Sequence, residues 1–219
     1  MSHYFSRIAL TPEGVDYKIR MMSHHSYDLH KEMWNLFPGE PDADRSFLYS
    51  IMDDGKTVLM VSEREPVFNN YWNVESKSYD PVISEGDSFR FRICANPTVA
   101  NSVNGKHQRH DVVMNLKRKL REEGVELSQN EIVQRAVTEW MVRKAGLNGF
   151  SVDENSLLIH SYEKNETFKQ QNGKKIIFST ATIEGSLTVK DKDKFRKALF
   201  CGIGSAKGFG CGMLMIRRI

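Results

Sequence analysis

A chain of 219 residues is long enough for one large domain or two of about 100 residues each. Hydrophobic residues make up 40% and charged residues 27%, a globular composition that excludes a disordered or collagen-like chain. The formal net charge of +3 hides an asymmetry: residues 1–100 carry 10 Lys and Arg against 15 Asp and Glu, a net of −5, whereas residues 101–219 carry 21 against 13, a net of +8. The second half alone has the charge of something that meets a polyanion; the plainer reading is a solvated surface.

The opening residues MSHYFSRIAL lack the long apolar run of a secretory signal, and residues 4–11 predict a first strand. Leu29, Met33, Leu36 and Phe37 then fall at i, i+4, i+7 and i+8, the core stripe of a helix, which Pro38 and Gly39 stop. Two short apolar runs, 47–52 and 57–62, flank Asp53-Asp54-Gly55, and Asp-Gly between such runs signals a hairpin. A second helix near 65–75 is weakly patterned. In 87–95, Phe89, Phe91 and Ile93 alternate with Arg90, Arg92 and Cys94, a strand with one polar face that Asn96-Pro97 ends.

The second half repeats this order. Residues 110–116 predict a strand, and Ser128 with Glu131 forms a capping box that opens a helix whose stripe includes Ile132, Ala136, Val137, Trp140 and Met141. Residues 156–162 and 176–189 predict two strands with Asn172-Gly173 in the turn. Asp191 caps a short helix carrying Phe195, Ala198 and Leu199, a glycine-rich loop follows, and 213–216 predict a last strand. Each half thus approximates strand–helix–strand–strand–helix–strand. We expect an α+β fold of two tandem ferredoxin-like (RRM-like) βαββαβ domains, residues 1–97 and 98–219. No stretch approaches the roughly 20 apolar residues of a membrane span.

Three features bear on chemistry. Gly202, Gly204, Gly208, Gly210 and Gly212 crowd into GIGSAKGFGCG, where exposed N–H groups can cradle a phosphate with Lys207 as a point charge. Neither GxxxxGK[ST] nor a GxGxxG that opens a helix is present, and the plainer reading is a tight turn made for packing. Tyr27 and His30, three apart, share a helix face that also carries Trp34. A histidine passes protons near neutral pH and a tyrosine beside it orients a substrate, although two amphipathic residues on a helix flank would look the same. The stretch 104–121 gathers Lys106, His107, Arg109, His110, Lys117, Arg118, Lys119 and Arg121, a pattern that can follow a phosphate backbone or simply face water. His24-His25 and His107-x-x-His110 lack HExxH spacing and a third ligand, so no metal site and no cofactor are expected. Cys94, Cys201 and Cys211 are odd in number with no CxxC pair, which disfavours a disulfide framework and points to a reducing cytoplasm.

At these residues the sequence resembles the CasE endoribonucleases, the CRISPR RNA-processing subunits of type I-E Cascade complexes. One block of the likeness is Tyr27-Asp28-Leu29-His30 running into Met33-Trp34-Asn35-Leu36-Phe37-Pro38, then Pro41-Asp42-Ala43 and Arg45-Ser46-Phe47-Leu48. A second is Phe89-Arg90-Phe91-Arg92 with Ala95-Asn96-Pro97, and a third is the looser basic run Lys106-His107-Gln108-Arg109. The fourth is Gly202 through Lys207 and Gly210 through Leu214. Segments 63–85 and 147–175 carry little of it.

The resemblance implies two ferredoxin-like domains and metal-independent cleavage of CRISPR repeat RNA at the base of its stem-loop. The mature guide RNA would stay bound and join other Cascade subunits. It implies His30 as the catalytic histidine with Tyr27 as partner. The glycine-rich loop, through Lys207, Gly202, Gly204 and Gly210, would lie against RNA. Lys106, Arg109 and Lys117 are the candidate phosphate contacts of the stem, with Arg45 nearer the cut. A non-catalytic RNA-binding subunit of the same architecture is the alternative; an unrelated ferredoxin-like protein whose glycines only shape a turn is a third.

Overall fold

The computed structural model describes residues 3–21, 27–39, 45–103, 106–168 and 175–219, with residues 17–21, 27–28, 101–103, 106–108 and 168 as backbone only. The first unit runs β1 (His3–Leu10), α1 (Pro12–Met21), α2 (Tyr27–Trp34), β2 (Phe47–Ile51), β3 (Thr57–Ser62) and β4 (Trp72–Tyr79). Its antiparallel sheet has the order β2-β3-β1-β4, so the last strand lies beside the first and the hairpin closes the other side. That is the ferredoxin-like order. In the β2–β3 turn the Asp54 carboxylate accepts from the backbone N–H groups of Lys56 and Thr57, both at 2.8 Å, and from Thr57 Oγ1 at 2.7 Å. Gly55 takes the left-handed conformation there with φ 61°.

The expected second helix of this unit is absent: residues 63–71 form no helix and cross from β3 to β4 as an extended segment. Pro66 removes a backbone donor, Asn69-Asn70 favour a turn, and no apolar stripe rewards coiling. The segment finds partners elsewhere. Val67 N–H donates to the Leu36 carbonyl at 2.9 Å, and Thr11 N–H donates to the Tyr71 carbonyl at 3.0 Å.

The second unit contains β5 (Ser88–Ala95), a hairpin of β6 (Thr98–Val103) and β7 (Lys106–Asp111), α3 (Val112–Glu122), α4 (Gln129–Leu147), β8 (Phe150–Val152), β9 (Leu158–Phe168), β10 (Lys175–Val189), α5 (Lys192–Cys201) and β11 (Leu214–Arg218). Its sheet runs β11-β5-β10, and β9 and β8 share the far edge of β10 in succession, which is the same ferredoxin-like order. The capping box at Ser128 and the Asp191 cap both form as expected. The strand expected at 110–116 does not. The Asp111 carboxylate accepts from the N–H groups of Val113 and Met114, so the chain turns helical at Val112 despite two β-branched residues. The turn expected at Asn172-Gly173 lies outside the described residues.

Strand pairing also bears on the division expected after Pro97. That division leaves Ser88–Ala95 with the first unit, but β5 pairs with β10 and β11 and lies inside the second sheet. Asn96-Pro97 ends a strand; the two sheets part between Tyr79 and Ser88.

The largest core packs α4 and α5 on the second sheet around Trp140, Met141, Phe150, Ile183 and Phe195. A smaller one packs α2 on the first sheet through Met33, Leu36, Phe37, Phe47, Tyr49 and Trp72. A third joins the two units: Leu48 and Val61 meet Met213, with Phe5, Tyr79, Phe200 and Met215 alongside. Strand β2 is therefore buried on both faces, Phe47 and Tyr49 under α2 and Leu48 in the seam. Polar ties span the same seam. Arg92 of β5 bonds both Asp53 of the β2–β3 turn and Glu184 of β10, and Arg196 of α5 pairs with Asp80 at 2.6 Å.

Candidate active site at the junction of the two units

Helix α2 buries Met33 completely, which leaves His30, three residues earlier, half-buried at the helix flank. The Trp34 indole Nε1–H, one turn on, donates to His30 Nε2 at 3.2 Å. The rings of Trp34 and Phe47 also flank the imidazole. The other ring nitrogen, Nδ1, is shielded from solvent and has no hydrogen-bond partner among the described residues. Burial, and then the Arg45 guanidinium from the segment before β2, hold His30 below the usual histidine range. Tyr27 starts the same helix; its side chain lies outside the described residues, as do Lys106 and the pair His24-His25.

Opposite α2 stands the glycine-rich loop between α5 and β11. Gly202, Gly204, Gly210 and Gly212 all have positive φ, from 73° to 89°, and Ala206 joins them at 57°. The loop is pinned on the side of its own sheet: Ile203 N–H donates to the Gly212 carbonyl, and Gly212 N–H to the Cys94 carbonyl. Ser205 Oγ lies 2.7 Å from Asn96 Oδ1. It is pinned again from the other unit, where the buried Tyr49 hydroxyl of β2 donates to the Gly208 carbonyl at 2.8 Å.

This double attachment sets Gly208 against the catalytic candidates. A Cβ there would lie 3.3 Å from Arg45 Nη1 and 3.5 Å from His30 Cε1. The three glycines expected to touch RNA have other neighbours: Gly202 abuts Leu48, Gly204 abuts Trp140 and Gly210 abuts Tyr49. They make the turns, and Gly208, which has no positive φ, makes the close approach. Gly208 and Tyr49 are the residues that sequence reasoning missed; glycine count alone gives each glycine equal weight.

Lys207 donates from Nζ to the Cys201 carbonyl at 2.7 Å, at the negative end of α5. Burial and then Arg45 lower its pKa. Lys144 of α4 is lowered by burial and then by Arg143, Arg109 and Lys207. Arg45, Lys207, Lys144, Arg109 and Arg143 thus form a chain of neighbouring cations across both units. Arg143 and Lys144 belong to no basic run in the sequence, because they stand as a pair in a helix of mixed charge. Arg109 also lines a cavity of about 550 Å³ with Asn96, Phe178, Ser179, Ser205 and Ala206, on the side of the loop next to the β6–β7 hairpin. Lys117 is apart from this group: on α3, its Nζ reaches Gln129 Oε1 at 3.4 Å.

A model of the family described as "CRISPR associated protein" matches residues 3–218. The chain belongs to this family. It is 29% identical over 203 residues to the CRISPR system Cascade subunit CasE of Escherichia coli K12, which covers 90% of this chain and 94% of that protein. Thermus thermophilus Cse3, solved with an RNA representing a pre-cleavage complex, superposes with a TM-score of 0.71 at 19% identity, covering 99% of this chain and all of that one. Cas6e from E. coli K-12 superposes with a TM-score of 0.59 at 23% identity over 99% of this chain and 100% of that one. The family is the one the residue blocks resembled, and the two solved structures share the tandem ferredoxin-like fold.

Proposed function

We propose that this protein is an endoribonuclease that cuts CRISPR repeat RNA at the base of its stem-loop and then remains, with the mature guide RNA, as a subunit of a Cascade-type complex in the cytoplasm. The observation that carries the reading is the convergence of His30, Arg45 and Gly208 at the junction of two ferredoxin-like units, with Lys207 close to Arg45. A proton-transferring side chain, a guanidinium and a bare backbone segment are parts that cleavage of a phosphodiester can use. The names of the relatives, CasE among them, supply the substrate class. Among the described residues no helix is long and apolar enough to cross a membrane.

The chemistry is metal-independent. The ribose 2′-hydroxyl beside the scissile phosphate attacks phosphorus as a base removes its proton, and an acid protonates the departing 5′-oxygen. The products are a 2′,3′-cyclic phosphate and a 5′-hydroxyl. His30 takes part in these proton transfers, and Tyr27 orients the ribose. Arg45 and Lys207 stabilise the charge that builds on the phosphorane oxygens. Lys106 and Arg109 of the β6–β7 hairpin and Lys117 of α3 hold phosphates of the stem, with Gly202, Gly204 and Gly210 shaping the loop beneath.

The test incubates the protein with its repeat hairpin in EDTA, beside His30→Ala and beside a substrate with a single 2′-deoxy at the cut. The parent should cut the all-RNA hairpin and leave the 2′-deoxy substrate bound and intact. His30→Ala should bind without cutting. Cutting of the 2′-deoxy substrate would refute attack by the 2′-hydroxyl, and full activity of His30→Ala would remove the histidine. Binding with no cutting by the parent would make the protein an RNA-binding subunit only.

A further inference from the structure

We propose that Trp34 is a positioning residue that holds His30 as the neutral tautomer protonated on Nδ1, so that His30 meets the phosphate as a hydrogen-bond donor and does not take the 2′-hydroxyl proton. The part concerning phosphate rests on the function proposed above; the tautomer does not.

The geometry allows one assignment of protons. An indole N–H is a donor only, with no lone pair to offer. Its 3.2 Å contact therefore needs a lone pair on His30 Nε2, and a neutral imidazole with a bare Nε2 carries its proton on Nδ1. Nδ1 is the nitrogen that is shielded and unpartnered, and it lies 3.7 Å from the place of a Cβ on Gly208. The protonated nitrogen thus lies on the edge of the ring nearest the bare backbone of the loop, where the proposed phosphate would sit. Such a nitrogen cannot accept a further proton, so removal of the 2′-hydroxyl proton falls to another group of the site.

Protonation of His30 would place a second N–H on Nε2 against the Trp34 N–H. The contact therefore resists the imidazolium form. The surroundings act in the same direction. Burial and Arg45, from the segment before β2, both disfavour the charged ring, while Lys207 stands on the loop turn packed against α2 with its ammonium on the Cys201 carbonyl. Tyr49 of β2 is a neutral phenol whose proton is committed to the Gly208 carbonyl. On its own helix His30 is followed by Lys31 and Glu32.

The decisive measurement is long-range proton–nitrogen correlation NMR on the full chain labelled with nitrogen-15, with the His30 signals assigned by their loss in His30→Ala. At neutral pH Nδ1 should be the protonated, pyrrole-like nitrogen and Nε2 the bare one. In Trp34→Phe, which keeps an aromatic ring where Trp34 packs edge-on against Phe47 at 5.2 Å, the proton should move to Nε2. The His30 titration should rise by about one pH unit, since one hydrogen bond to the neutral form is lost.

A second readout needs no variant: the Trp34 indole N–H resonance of the parent should titrate together with His30. A protonated Nε2 in the parent would overturn the proposal. So would an unchanged tautomer in Trp34→Phe, or an indole signal indifferent to His30. None of these readings uses RNA. A His30→Ala enzyme that still cuts would refute the role of His30 in cleavage while leaving the tautomer standing.

Discussion

Gly208→Ala separates the needs of the fold from those of the site. Gly208 has no positive φ, so alanine fits its backbone, and removing glycine's freedom from the unfolded chain favours folding by about 0.4–1 kcal/mol. Against this stands one tight contact, 3.3 Å to the tip of the flexible Arg45 side chain. The net effect on stability should lie within about 1 kcal/mol of zero, or about 2–4 °C in Tm for a chain of this size. The new methyl, however, occupies the space within 3.5 Å of the imidazole. A phosphate displaced by about 1 Å loses roughly 100-fold in rate.

Gly212→Ala is the contrast. There φ is 89° and the new Cβ would lie 2.6 Å from the Ile203 carbonyl oxygen, so backbone strain and overpacking together cost about 2–5 kcal/mol. Thermal unfolding and single-turnover cleavage of the repeat hairpin at saturating protein read the two effects. The expected result is an intact but slow Gly208→Ala and an unstable Gly212→Ala. A Gly208→Ala protein that cuts at the parent's rate would refute the placement of the substrate at this loop.

Tyr49→Phe removes the donor to the Gly208 carbonyl from a fully buried position, and should cost about 1–2 kcal/mol in chemical denaturation while slowing cleavage further than the lost stability explains. An unchanged cleavage rate would show that the loop keeps its place without this tie. The depressed His30 pKa has a stability consequence of defined sign. Between that value and the unfolded value of about 6.5, the unfolded chain binds more protons than the folded one, so folding weakens as pH falls through about 6.5. His30→Gln removes this loss, and its stability relative to the parent should rise on acidification from pH 7.5 to 5.5, by less than about 1 kcal/mol after solvent screening; a constant difference would contradict it. Arg109→Ala should lower the slope of log affinity against log salt for the hairpin by about one, and a slope equal to the parent's would take Arg109 off the phosphate path.

What the sequence made legible follows the strength of local rules. Alternation in Phe89, Phe91 and Ile93, the Asp53-Asp54-Gly55 hairpin and the Ser128 capping box each depend on neighbours in the chain, and each forms. Residues 110–116 depart from the expected strand where two local rules compete: β-branched Val112 and Val113 favour a strand, while Asp111 offers a side-chain oxygen to the first free N–H groups of a helix, and the cap prevails. The division after Pro97 follows the end of a strand and not the end of a unit, because pairing partners 86 to 129 residues away leave no trace in a local window. The same limit hides Tyr49. It reads as one more inward residue of a strand, and only its 159-residue reach to Gly208 gives its hydroxyl a task.

The junction explains why charge and chemistry are split between the halves. Neither unit holds the site alone: the first supplies His30, Arg45 and Tyr49, and the second supplies the loop and most of the positive charge. Strand β2 is the element that couples them, since alternate residues face opposite ways along it. Phe47 and Tyr49 point under the helix that carries His30, and Leu48 points into the seam against Met213 and Gly202. A shift of one residue in the β2–β3 register would turn Leu48 toward α2 and withdraw the Tyr49 hydroxyl from Gly208. The Asp54 turn fixes that register with three hydrogen bonds, and Asp53 beside it is tied through Arg92 to Glu184 of the other unit. The distance from His30 to the loop is therefore set from a turn at the opposite end of β2, which is how a site shared between two small sheets can be held without either one enclosing it.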